Sequence, residues 1–411
     1  MNTFNMSART WAVWLVLSVL FFFIFAFGFT DALWLGLGGI ALVLAVAGVA
    51  YLARPSVRQA MTLTRTLSRG HRALIRGDFA GAEKFYGRAI TQADYLGPNR
   101  DCNLGTALSH LGELYRTQGR FADAEPVILR AITHYETAAR QGGLVGAAAS
   151  RGAFVVTSNL ASLYINQGRF DEAEPLCEDV DASFKSDSKV GPFHRAVGLY
   201  NLGQVLVGQG RLEAAEALTR RAMMHLDDSL GRRLAVPAVV MAGLADICRR
   251  QGRLDEAETL ARKALESGEK SAFSPIHAVQ SRFLNVLAEI LRARGRLEES
   301  EELCLRSQML TEKAFGPDHP RLDGCLATQA RIRVAQGRHQ EAADLLERCL
   351  GILDKAVVPT HPDLLARRAE YAEELRLLGR CDEAARWGQL AQDVPVLQPV
   401  AASSLIRGSG Q

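Results

Sequence analysis

One spacing dominates this chain. Gly119, Gly168, Gly210, Gly252, Gly295, Gly337 and Gly379 are each followed by arginine, and Gly77, followed by Asp78, extends the series one step back. Successive steps are 42, 49, 42, 42, 43, 42 and 42 residues. Five residues after each glycine stands a small side chain: Ala82, Ala124, Ala173, Ala215, Ala257, Ser300, Ala342 and Ala384. Seven residues before it stand Gly70, Gly112, Ala161, Gly203, Ala245, Ala288, Ala330 and Ala372. A period of roughly 20–50 residues marks stacked units, none of which buries its apolar face alone. Small residues at fixed places let paired helices approach closely, and the glycine ends one helix in a left-handed turn. The pattern predicts an all-α solenoid of about eight helix pairs over 62–391. The single 49-residue step adds seven residues around QGGLVGAAASRGA (141–153), and the period assigns them to a longer loop between units.

These residues resemble the tetratricopeptide repeat (TPR). The small–Leu/Gly–Tyr pattern of its first helix stands in SHLGELYRTQGRF (109–121) and NLASLYINQGRF (159–170), and its turn and second helix in QGRFADAEPVILRA (118–131). The 42-residue period is similar to the kinesin-light-chain subtype, to which AFGPDHPRLDGCLATQARIRVAQGRHQEAADLL is especially close. The resemblance implies antiparallel helix pairs stacked into a right-handed superhelix with a concave groove, and a binding role with no reaction. The first unit departs from the pattern, with Arg69 where Leu is usual, as a terminal repeat does.

The N-terminal region is of another kind. After a short segment, 1–9, the chain runs from Trp11 to Thr30 without a charge. Asp31 interrupts, and Ala32 to Leu52 is uncharged again. Each run has the ~20 residues a helix needs to cross a bilayer. Trp11, Trp14, Trp34 and Tyr51 stand near their ends, as interfacial anchors do. The region 10–52 therefore reads as a two-span transmembrane hairpin. A cleaved signal peptide is the weaker alternative, because the run is long and a second follows at once. Gly38, Ala41, Ala45 and Gly48 fall on one face of the second run, where the Phe-rich first run can pack.

Arg9 precedes the first run, and Arg54, Arg58, Arg65, Arg69, Arg72 and Arg76 follow the second with no acid before Asp78. The positive-inside rule then keeps both ends on the cytoplasmic side. Five of these arginines fall within an arc of about 60° on a helix, opposite Leu63, Leu67 and Leu74. The segment 53–76 reads as a basic juxtamembrane amphipathic helix that merges into the first repeat and suits anionic lipid headgroups. The expected setting is an integral protein of a bacterial inner membrane, with the repeats in the cytoplasm. The tail, 392–411, mixes Pro, Ser and Gly and reads as a flexible end.

Composition excludes several classes. A net charge of +3 over 411 residues gives no general attraction for nucleic acid. Seven cysteines, none in a C-x-x-C pair, suit a reducing compartment better than a disulfide framework. No phosphate loop, H-E-x-x-H or paired metal-ligand spacing occurs, so neither an enzyme, a cofactor nor a metal is expected. His277, His319 and His361 recur every 42 residues, but they sit in Pro-bearing turns of successive units, too far apart to share one ion.

A groove remains as the candidate site. In the resembling family the first helix of each unit lines it, at positions six and three before the glycine. Here those pairs are Glu113/Arg116, Ser162/Ile165, Gln204/Val207, Asp246/Arg249, Glu289/Arg292, Arg331/Val334 and Glu373/Arg376. Four are acid–Arg pairs three apart, which neutralise one another. The uncharged stretch Asn159, Ser162, Ile165, Tyr200, Asn201, Gln204 and Val207 is then the expected peptide-binding groove. Its amides suit an extended backbone, and Tyr200 an aromatic anchor. The expected role is a membrane-anchored adaptor that binds protein or peptide partners. The alternative is an assembly or quality-control factor for a membrane complex or envelope pathway.

Overall fold

The computed structural model describes residues 55–186, 192–226, 236–269 and 276–392. The hairpin expected over 10–52, Arg54 and the tail lie outside the described residues. Among the described residues no helix is long and apolar enough to cross a membrane.

The described residues form sixteen α-helices in antiparallel pairs: α1 Pro55–Ile75 with α2 Phe79–Ala93, α3 Arg100–Thr117 with α4 Phe121–Ala139, α5 Gly143–Gln167 with α6 Phe170–Ser186, and α7 Pro192–Gly208 with α8 Leu212–His225. The series continues with α9 Val236–Arg250 and α10 Leu254–Glu269, α11 Ile276–Ala293 and α12 Leu297–Phe315, α13 Leu322–Ala335 and α14 His339–Ala356, and α15 Pro362–Leu377 and α16 Cys381–Gln392. From α3 to α13 each first helix also packs on the first helix of the next pair.

The periodic glycines do what their spacing demands. All eight have φ between 73° and 80°, a region that costs other residues a Cβ clash. Around Gly252 its N–H donates to the Arg249 carbonyl at 3.0 Å and the Arg253 N–H to that of Cys248 at 2.9 Å. This closes the helix and reverses the chain. The small residues sit at the crossing of each pair. Ala82, Ala124, Ala173, Ala215, Ala257, Ser300 and Ala342 are wholly buried. A Cβ on Gly112 would stand 2.5 Å from the Ile128 side chain. Where serine replaces alanine in α12, Ser300 and Ser307 donate to the carbonyls of Ala288 and Ser281 at 2.7 and 2.8 Å, so the buried hydroxyls are satisfied.

The arginine after the glycine has its own task. Arg169 reaches Glu172 of its own unit at 2.6 Å and Glu125 of the preceding unit at 2.7 Å. Arg253 does the same with Glu256 at 2.5 Å and Glu216 at 2.6 Å, and Arg296 with Glu299 and Glu258 at 2.5 and 2.9 Å. The acid four residues after one glycine and the acid six residues after the previous glycine thus share one guanidinium. Gly-Arg is a turn and an inter-unit staple in two residues, which is why the pair recurs together.

One expectation is corrected. The seven extra residues around 141–153 do not lengthen a loop; they lengthen a helix. α5 runs unbroken for 25 residues from Gly143 to Gln167. The run G-A-A-A-S-R-G-A holds no proline and four alanines, so helix continues through it, and Gly142 and Gly143, both at positive φ, confine the reversal to the start.

Candidate functional site

The inner face of the array carries a ladder of charge. The expected pairing three residues apart is present: Glu113–Arg116 at 2.6 Å, Asp246–Arg249 at 2.7 Å, Glu289–Arg292 at 3.5 Å, and Glu373 with Arg376. The fold then links units that sequence keeps apart. Arg249 reaches Glu289 at 3.7 Å, Arg331 joins Glu289 at 2.8 Å to Glu370 at 2.7 Å, and Arg367 joins Glu370 at 3.1 Å to Asp323 at 3.0 Å. Burial opposes the charge on Glu289, but Arg331, the Thr328 hydroxyl, Arg292 and Arg249 together hold its carboxyl below the ordinary range. Burial likewise opposes Asp246, and Arg249 and Arg250 outweigh it. From α9 to α15 these carboxylates and guanidiniums pair with one another along the inner face.

The uncharged stretch divides in two. Asn159, Ser162, Ile165, Gln204 and Val207 on α5 and α7 are partly exposed, although the Ser162 hydroxyl already donates to the Ser158 carbonyl at 3.0 Å. Tyr200 and Asn201 are buried, at 7% and 6% exposure. The Tyr200 ring packs with Ala196, Leu199, Ala222 and Val240. A Cβ on Gly243 would come within 2.6 Å of it, so the glycine of α9 makes its seat. Asn201 donates to the Ser158 carbonyl at 3.2 Å and ties α7 to α5. The expectation that Tyr200 and Asn201 present themselves to a ligand is therefore corrected. In this conformation they hold the units together, and the Tyr200 hydroxyl accepts from Arg282 at 2.7 Å.

The array also touches itself at long range. The turn between α12 and α13 lies against the turn between α3 and α4: His319 Nε2–H donates to the Thr117 carbonyl at 3.0 Å. Its Nδ1 accepts from the Arg321 N–H at 3.2 Å, which fixes the neutral tautomer. A Cβ on Gly119 would stand 2.7 Å from Pro320. One unit further on the contact repeats. The Val358 N–H donates to the Gln167 carbonyl at 3.1 Å, and His361 lies over Gly168 beside Phe170. Phe79 stacks on Phe315 at 5.5 Å. The array thus coils until its later turns dock on earlier ones, and this seam flanks an interior lined by the first helices. The recurrent histidines expected as turn residues are seam residues. Burial holds both neutral, with the nearby Arg321 charge adding to the effect at His319. The side chain of His277 lies outside the described residues.

Arg321, at the seam, feels the charges of Arg116 and Arg282. Arg321 follows the docked turn, its guanidinium 5.4 Å from the Phe315 ring. Burial and the charges of Arg116 and Arg282 draw its pKa down, and Glu113 opposes them. Arg321 and Arg282 are nevertheless exposed to solvent. Sequence reasoning missed Arg282. Its signal was the register thirteen before the glycine, which elsewhere holds Thr106, Val155, Val197, Val239, Gly324 and Ala366.

Arg58, Arg65, Arg69, Arg72 and Arg76 are all exposed, while Leu63 is buried and Leu67 and Leu74 partly so. The basic face of α1 is thus open along its length. Among the described residues no group of His, Cys, Asp and Glu is arranged to hold a metal ion. Cys177, Cys248, Cys304, Cys325 and Cys349 are buried in the packing.

The geometry defines a class: an all-α array of paired helices, repeated at a fixed period and presenting an inner face. Residues 147–322 match the MalT-like TPR region, and residues 107–140 and 324–348 match tetratricopeptide repeats. Over those residues the chain is similar to tetratricopeptide-repeat proteins. Comparison with curated protein sequences gives no match. Solved structures with a similar fold include a putative kinesin light chain with nearly identical TPR-like repeats from Podosopora anserina. It has 22% identity over 49% of this chain and 94% of that one, with a TM-score of 0.35. BtubC from P. vanneervenii has 16% identity, covering 58% and 90%, with a TM-score of 0.40. The apo form of RapI has 12%, covering 70% and 76%, with a TM-score of 0.44.

Proposed function

We propose that this protein is an adaptor: its repeats, coiled as a right-handed superhelix, bind a segment of a partner protein inside, and its N-terminal hairpin anchors them to the cytoplasmic face of a bacterial inner membrane. The reading assigns it no reaction of its own. The observation that carries the binding role is the inner face itself. Partly exposed amides at Asn159 and Gln204 stand beside apolar Ile165 and Val207, a surface suited to an extended backbone with its side chains. The open basic face of α1 supports the membrane setting, since arginines directly after an apolar hairpin are drawn to anionic headgroups.

Two experiments test it. A photo-crosslinking residue at Gln204 in the full chain should capture a partner in intact cells, and one at the outward-facing Met224, 75% exposed, should not. Crosslinking at Met224 alone refutes an inner site. Alkaline carbonate should leave the chain in membranes, and a reporter at Gln411 should be active in the cytoplasm; activity only on the far side refutes the topology. If the captured partners are integral subunits of one complex, the alternative role in assembly or quality control replaces that of a soluble-partner scaffold.

A further inference from the structure

The contacts between distant turns are in phase with the repeat. His319 stands 24 residues after Gly295 and meets the turn at Gly119, where it donates to the Thr117 carbonyl at 3.0 Å. One unit on, His361 stands 24 residues after Gly337 and lies over Gly168. There the Val358 N–H, 21 residues after Gly337, donates to the Gln167 carbonyl at 3.1 Å. A step of one unit along the later part of the array thus matches a step of one unit along the earlier part. Among the periodic glycines Gly119 and Gly168 are partly covered, and the others are exposed. The next turn in phase joins α7 to α8. Among the described residues nothing lies within 4 Å of a Cβ placed on Gly210, and the Gln209 carbonyl, the counterpart of Gln167, accepts no bond like that from Val358. Leu212, the counterpart of Phe170 beside His361, is partly exposed.

We propose that residues 399–406 of the same chain dock on the α7–α8 turn and make the third rung of the seam, with the Val400 N–H donating to the Gln209 carbonyl and the Val400 side chain against Leu212. Register supports this occupant. Counted from Gly379 as from Gly337, residue 21 is Val400, in the place of Val358, and residue 27 is Ile406, in the place of Leu364. Leu364 and its counterpart one unit earlier, Leu322, are both buried. Ser403 and Ser404 replace the His–Pro pair of the other rungs, so this one is held by backbone and valine, with no ring against the glycine. Reach is sufficient. Eight residues separate Gln392 from Val400, as eight separate Leu350 from Val358. α14 crosses most of that interval as helix, at ~1.5 Å per residue, and any less compact path spans more, up to ~3.4 Å per residue. A segment tethered this closely is also present at a higher effective concentration than a second copy in dilute solution. The inference goes beyond the adaptor reading and needs neither membrane nor partner. Gln204 and Val207 stand six and three residues before Gly210, so the third rung lies at the edge of the surface they form.

The test uses the full chain in detergent micelles. A benzophenone amino acid at Leu212, photolysed and mapped by mass spectrometry, should crosslink to residues 396–406. The same probe at Leu254, on the next turn, should not. In an equal mixture of unlabelled and 15N-labelled chains, the crosslinked peptides should carry one isotope only. Val400→Pro removes the proposed donor and should speed amide exchange across 209–213 by about fivefold or more, with 251–255 unchanged. Val400→Ile keeps the N–H and the apolar side chain, and should exchange as the parent does. Circular dichroism melts should coincide, because position 400 lies outside the paired helices. No crosslink from Leu212 to the tail, equal crosslinking from Leu254, or exchange at 209–213 that Val400→Pro leaves unchanged overturns the third rung. Crosslinks of mixed isotope overturn it too, and give the turn to a second copy. Capture of a partner at Gln204 is a separate measurement, so the third rung can fail while the adaptor reading stands, and the reverse.

Discussion

Lowering the pH should open the seam through His319. Its ring is 5% exposed, stacked on Phe315 at 4.3 Å, and it donates from Nε2 while accepting at Nδ1. Burial, with the Arg321 charge, holds its pKa at about 4, against the ordinary 6.5. Because the docked state binds its proton more weakly than the undocked state, the stabilisation is complete above about pH 6.5 and declines as pH falls toward 4. The full difference of about 2.5 units corresponds to roughly 3 kcal/mol, and about 2 kcal/mol of it is lost by pH 5. His361 shifts in the same direction through burial and adds to the effect. Among the staple carboxylates Glu216 is held at about 2, its burial overcome by the hydrogen bonds from Arg253, Arg220 and Gln251, and Glu258 and Glu299 also lie below the ordinary range beside their arginines, so these three stay ionised above pH 5. Amide exchange in the full chain, followed from pH 7.5 to 5 and corrected for intrinsic rates, should lose protection at 319–323 and 117–121. In His319→Gln, whose amide can still donate to the Thr117 carbonyl, that loss should largely vanish. The same pH dependence in variant and parent would refute the assignment of the proton to His319.

Two glycines separate turn strain from seam contact. Gly168→Ala and Gly210→Ala both place a Cβ at positive φ, 79° and 77°, which costs about 1–2 kcal/mol. The Cβ at 168 also meets His361 at 2.5 Å, and the one at 210 meets nothing within 4 Å. Urea unfolding should therefore find Gly168→Ala the more damaging; equal losses would mean the seam contributes nothing. Ala257→Arg, at a wholly buried crossing of α9 and α10, should destabilise by several kcal/mol through an unpaired buried charge. Limited proteolysis should first cut near residues 240–270, and an unchanged pattern would remove that residue from the helix–helix contact.

The repeat was legible because its causes are local. A left-handed turn needs glycine, and a close helix crossing needs a small side chain. Both requirements recur at one period, so Gly252, Ala257 and Ala245 could be placed from sequence alone. The i, i+3 pairs Asp246–Arg249 and Glu113–Arg116 were legible for the same reason, since helical geometry puts such residues side by side. The extra turn in α5 was misread because period counts residues without saying whether an insertion continues a helix or leaves it; the alanine run decides that. Tyr200 was misread because burial of an inner-face aromatic depends on its neighbour, and the space that receives it is created by Gly243, one unit away. The seam could not be read at all. Whether His319 meets Thr117 depends on the small rotation each unit adds to the last, summed over more than four units, and no single residue encodes that sum. Tertiary structure alone therefore decided that the interior is flanked by a contact between distant turns, His319 on Thr117 and Val358 on Gln167.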